Sequence, residues 1–99
     1  MMDDALQQLI RDAFRGVATD VFLLEDEPPR IRREGKVVPL HPGPVPRFGI
    51  EGLWKSCGVD PEVTKEADVS WQLPEGKRLR VNLYHTLGRL AAVLRPIRE

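Results

Sequence analysis

The run RLRVNLY at residues 78–84 alternates without interruption. Leu79, Val81 and Leu83 fall on one side and Arg78, Arg80, Asn82 and Tyr84 on the other, the period of an extended strand with one covered face. A second extended run, LAAVLRPI, returns after the short link HTLGR. If the chain reverses at Leu87-Gly88, Arg80 faces Arg95 and Asn82 faces Val93, while Leu79, Val81, Leu83, Ala92 and Leu94 share the opposite, apolar face. One register therefore sorts both strands at once, and a slip of one residue would turn the apolar set to water. Whatever this chain folds into must contain an antiparallel pair with one face that needs a cover.

Candidates for the cover are helical. In DDALQQLIRDAFRG, Asp3 or Asp4 can cap a helix start, and Leu6, Leu9, Ile10, Ala13 and Phe14 recur at helical spacing. Gly16 is expected to end this helix in a left-handed conformation. The apolar stripe is expected to pack on the sheet. Ile50, Leu53, Trp54 and Cys57 mark a second, shorter amphipathic helix that Gly58 ends. DPEVTKE, with Asp60 as a cap and Pro61 at the first helical position, predicts one further helical turn. Trp54 and Trp71 are both expected to be substantially buried, because aromatic rings dominate the interior of a small chain.

The remaining segments read as strands and breaks. ATDVFLLE is rich in β-branched and aromatic residues, and Pro28-Pro29 interrupts regular structure after it. RIRREGKVVPL reads as a hairpin turning at Glu34-Gly35, with Pro39 placing its second run at a sheet edge. HPGPVPRFG reads as a linker within the domain, ADVSWQL as a strand and PEGK as a turn. The order is helix, three strands, one or two helices, three strands. That order predicts one α+β domain over residues 1–99, a PAS-like antiparallel sheet of five to six strands with two or three helices packed against it.

A formal net charge of zero conceals an uneven layout. Residues 1–29 hold Asp3, Asp4, Asp12, Asp20, Glu25, Asp26 and Glu27 against Arg11 and Arg15 alone. Residues 77–99 hold Lys77, Arg78, Arg80, Arg89, Arg95 and Arg98 against Glu99 alone. Such polarity fits either a partner surface at one end or two ends that pair in the fold. Cys57 is the single cysteine and reads as a small core residue, so no intrachain disulfide can form. His41 and His85 have no companion at metal-ligand spacing, and there is no phosphate-binding glycine loop or dinucleotide fingerprint. No catalytic constellation and no metal site is read from these residues.

Two segments together resemble one family, the hexameric ATPases of type IV pilus retraction and type II secretion. The first is ATDVFLLEDEPPRIRREGKVVPL, where Ala18, Asp20, Pro28, Pro29, Arg32 and Gly35 match the opening strand, the Pro-Pro, the arginine and the turn. The second is EADVSWQLPEGKRLRVNLYHTLGRLAAVLRPI, where residues 68–71, 80–82 and 91–95 match three of the family's strands. Phe22 and His85 depart from the usual histidine and glutamine, and Glu34-Gly35 stands in place of an Asp-Gly turn.

The resemblance implies a PAS-like N-terminal domain of a pilus retraction (twitching motility) ATPase, with a RecA-like ATPase domain expected beyond Glu99. It implies a homohexamer, cytoplasmic and peripheral to the inner membrane through pilus or secretion machinery, that uses ATP and Mg. The partner of this domain would be the RecA-like domain of the same or a neighbouring subunit. The fragment alone is expected to be no enzyme and to need no cofactor. By the same resemblance Arg80 and Arg95 face the nucleotide phosphates, with Arg89 and Arg78 as second candidates and Arg98 as linker surface. The alternative is a free-standing PAS-like ligand-binding or signalling module. A nucleic-acid module is disfavoured, since a basic domain is the expected footprint and Tyr84 alone is no stacking platform.

Overall fold

A computed structural model describes residues 4–40 and 43–97. Asp3, His41 and Arg98 lie outside the described residues. The elements are α1 (Asp4–Arg15), β1 (Ala18–Leu24), β2 (Arg30–Arg33), β3 (Lys36–Pro39), α2 (Arg47–Ser56), β4 (Glu66–Gln72), β5 (Arg78–Thr86) and β6 (Arg89–Pro96). The six strands form one antiparallel sheet in the order β3-β2-β1-β6-β5-β4, so the fold is α+β.

The strand pair that opened the sequence argument has the expected register. Arg80 pairs with Arg95, Asn82 with Val93 and Leu83 with Ala92. The reversal at Leu87-Gly88 puts both residues at positive φ, 50° and 79°, as a two-residue hairpin turn between twisted strands requires. Glu34-Gly35 repeats that geometry at 51° and 79°, joining β2 to β3. Pro39 ends β3 at the sheet edge, where a missing N–H costs no ladder bond.

Both helices cover one face. Leu6, Ile10, Ala13 and Phe14 of α1 and Ile50, Leu53 and Trp54 of α2 join Val21, Leu23, Ile31, Leu79, Val81, Leu83, Ala92 and Leu94 in a single buried cluster. The other face of the sheet carries the polar set, and among the described residues no helix lies over it.

Several expectations are corrected in detail. Gly16 is not left-handed: its N–H still reaches the Asp12 carbonyl at 3.4 Å, so helical hydrogen bonding runs on through Gly16 before the chain turns into β1. Arg47, Phe48 and Gly49 belong to α2 and not to a linker. Pro46 sits at the N-cap, where it needs no N–H, and its carbonyl accepts from Gly49 and Ile50 at 3.0 and 3.4 Å. The segment after Asp60 closes one hydrogen-bonded turn, Thr64 N–H to the Asp60 carbonyl at 3.0 Å, without becoming a third helix. Trp54 is fully buried, and Trp71 is partly buried and packs against the core from the edge strand β4, which has a neighbour on one side only. Cys57 likewise packs against the core without being fully inside it.

Candidate functional site

The open face of the sheet brings together charged residues from five strands. Arg80 on β5 stands opposite Arg95 on β6, in a row that starts at Ser70 on β4. Across β1 the row continues to Asp20, which pairs with Arg32 on β2. Two unscreened guanidinium groups at directly opposed positions destabilise a sheet. Here a carboxylate answers each one.

A β-bulge places the more important of these carboxylates. Ala18 pairs with Arg33 and Asp20 with Arg32, so one extra residue, Thr19, sits between them. Without that insertion Ala18 and Asp20 would share a face. With it, Ala18 enters the core while Asp20 turns to the open face. Asp20 is 5% exposed, the one charged residue buried among the described residues. Arg95 Nε donates to its Oδ2 at 2.6 Å, the Thr19 hydroxyl donates to Oδ1 at 2.8 Å, and Arg32 Nε lies 3.5 Å from Oδ1. Burial pushes the Asp20 carboxyl up, but the Thr19 hydrogen bond and the Arg95 and Arg32 charges outweigh it and hold the group below its ordinary value.

Arg80 is held differently. Its Nε and Nη2 both donate to Asp68 on β4, at 3.3 and 2.8 Å, in an exposed two-point pair. The Arg80 hydrogen bond, with its charge, lowers the Asp68 carboxyl. A shallow groove of about 390 Å³ lies between them, lined by Asp68, Arg80, Asn82, Val93 and Arg95. Arg78 lies next along β5 on the same face and is exposed. Arg89 is not part of this cluster. It sits at the far end of β6 and donates to the Glu25 carbonyl at 3.2 Å and to Glu27 at 3.4 Å, tying the β5–β6 turn to the end of β1.

Sequence reasoning had placed Arg80 and Arg95 together. It missed Asp20 as the anchor of Arg95, and with it Arg32. The available signal was a lone carboxylate inside the apolar strand ATDVFLL, where an unpaired charge would be costly. A roomier hollow of about 550 Å³ lies elsewhere, between the 61–66 turn and Tyr84 and His85, and its charges from Glu62, Lys65 and Glu66 are of mixed sign. Among the described residues no group of three or more His, Cys, Asp or Glu could hold a metal ion. Nor is any described helix long and apolar enough to cross a membrane.

Neither a protein-family model nor a curated protein sequence matches this chain. Solved structures do. The pilus retraction motor PilT with bound ADP superposes with a TM-score of 0.79 at 23% identity, over 94% of this chain and 29% of that one. The ATPase DotB of Legionella pneumophila gives 0.80 at 19% identity, over 99% of this chain and 30% of its own. DotB of Yersinia pseudotuberculosis gives 0.77 at 15% identity, over 99% and 31%. The chain has the fold of part of these ATPases and spans about three-tenths of their length.

Proposed function

We propose that this chain is the PAS-like N-terminal domain of a hexameric pilus-retraction or secretion ATPase, and that its open sheet face completes the nucleotide site of the ring. One observation carries the reading: Arg80 and Arg95 stand directly opposed on neighbouring strands of the sheet face that no described helix covers. The fold shared with PilT and DotB supplies the context. A RecA-like domain of the same or a neighbouring subunit would present the nucleotide, and ATP with Mg would supply the phosphoryl group.

The residues fit such a ligand. Arg95 meets Asp20 through Nε, which leaves the planar pair of terminal nitrogens for phosphate oxygens. Arginine stays charged at any physiological pH, so it can stabilise negative charge that grows on a transferring phosphoryl group. The domain would supply no nucleophile and no base, and would have no turnover alone. Its place would be cytoplasmic, at the inner membrane through pilus or secretion machinery, and retraction is the role its sequence resemblance favours.

The test is Arg80→Ala and Arg95→Ala in the full-length ring, with ATP turnover measured beside the thermal melt of the isolated domain. Turnover is expected to fall by at least about tenfold while the isolated domain keeps a cooperative melt, lowered by several degrees in Arg95→Ala because Asp20 loses a partner. Turnover within about twofold of wild type removes the role. A collapse of the isolated domain would instead make the arginines structural.

A further inference from the structure

The two carboxylates of the open face treat their arginines in opposite ways. Asp20 engages both Arg95 and Arg32 through Nε, from a buried position that the Thr19 hydroxyl helps to fix. An arginine held by Nε keeps its two terminal nitrogens, the flat edge that matches paired phosphate oxygens. The Arg32 guanidinium also lies over the Phe22 ring at 5.5 Å, which limits the directions it can take. β6 and β2 are separated only by β1, so the two arginines start about 10 Å apart. Neighbouring phosphoryl groups of one chain can meet both. Asp68, in contrast, is an exposed residue on the edge strand, and it takes Arg80 through Nε and Nη2 together. That is a forked edge an incoming phosphate would use.

We propose that the open face is an oligophosphate clamp in which Arg32 is a third anion-binding residue, Asp20 is the positioning residue that aims Arg32 and Arg95, and Asp68 is a competitor that occupies Arg80 until the anion displaces it. The clamp rests on the reading that this face meets nucleotide phosphates and specifies which groups do so. Unspecific attraction makes a different forecast. Asp20→Asn and Asp68→Asn each add one positive charge to the face, so charge alone would tighten anion binding in both variants. Positioning gives them opposite signs.

The experiment titrates tripolyphosphate into this chain at low salt, where screening is weakest. Binding is followed through the arginine Nε–H resonances and the backbone amides. Wild type is expected to bind in the millimolar range, with the Arg95 and Arg32 Nε signals moving. Asp68→Asn should bind about two- to fivefold tighter, the range set by breaking an exposed ion pair. Asp20→Asn should bind several-fold weaker in spite of its added charge. Arg32→Gln should lose more affinity than Arg30→Gln, a charge-matched change two residues along the same face. If Asp20→Asn does not fold, the Arg32→Gln and Arg30→Gln pair decides by itself. Tighter binding in both Asp variants, equal losses in the two glutamine variants, or static Arg32 and Arg95 signals in wild type would overturn the clamp. All these readouts use the chain alone. Unchanged ring turnover in Arg80→Ala and Arg95→Ala would sink the nucleotide-site reading and leave the clamp standing.

Discussion

Asp20 concentrates most of what this face needs, and its chemistry gives a pH dependence. Its folded-state pKa lies below the value of about 3.9 for a free aspartate. The stabilisation is therefore present in full above that value and is lost as pH falls through the lower folded value. Asp20→Asn is expected to cost about 1 to 2 kcal/mol at neutral pH, since charged hydrogen bonds are lost from a buried acceptor whose arginine partners are half in water. It should also flatten the acid limb, so that denaturant melts of wild type and variant converge through the acid range below the ordinary aspartate value, down to the pH at which the domain loses its cooperative melt. Parallel curves down to that pH would show that Asp20 is not the group responsible. Cys57 gives a second check. Burial pushes its thiol up to about 11, so iodoacetamide at pH 8 should alkylate it roughly a hundredfold more slowly than a free cysteine. The Asp20 anchor was hidden in the sequence because nothing in Ala18-Thr19-Asp20 announces a bulge. Strict alternation would have put Ala18 and Asp20 on one side. The partner arginines, at positions 32 and 95, become neighbours only once the strand order is known.

At the scale of elements, what the sequence revealed followed how local each signal is. The two hairpins were legible because Gly35 and Gly88 each follow one residue of the turn and flank alternating runs. The α2 start was not. Arg47 looks like linker beside Pro44 and Pro46, and the ion pairs that hold it there, with Glu25 at 2.9 Å and Glu62 at 3.7 Å, come from distant segments. That Trp71 is less covered than Trp54 was not legible for the same reason, since nothing local says that β4 lies at an edge. The β5–β6 turn also carries a conflict. Leu87 adopts φ 50° while 95% exposed, so a branched side chain occupies a conformation that favours Asn or Gly and gains little burial in return. Leu87→Asn is expected to stabilise the chain by about 0.5 to 1 kcal/mol, raising Tm by a few degrees in a scanning melt. An unchanged or lower Tm would mean that the turn is not strained.

For the whole molecule, the sheet is two three-stranded meanders, β1-β2-β3 and β4-β5-β6, joined along a single seam. Val21 to Leu24 pair with Ala91 to Leu94 along it. The seam also explains the uneven charge of the chain. Arg95 reaches Asp20, Arg89 reaches Glu27, and the Leu90 N–H donates to the Glu25 carboxylate at 3.0 Å, so acidic early residues meet basic late ones. Pairing of the two ends, one of the two readings the composition left open, is thus built into the fold. Each meander alone can form from local hairpins, but neither holds both helices. α1 packs on β1 and α2 on β6, so each helix covers a different half, and the buried cluster is continuous only across the seam. The last strand in the sequence therefore sits at the centre of the sheet, and removing it should cost the whole fold and not a frayed edge. A chain ending at Leu87 is expected to show no cooperative thermal transition and no dispersed amide spectrum, whereas residues 1–99 should show both. In residues 1–99, amides of β1 and β6 should exchange with solvent most slowly and those of the edge strand β3 among the fastest. A truncated chain that still melts cooperatively would show that one meander folds without the other, and the seam would then be a docking contact between two units.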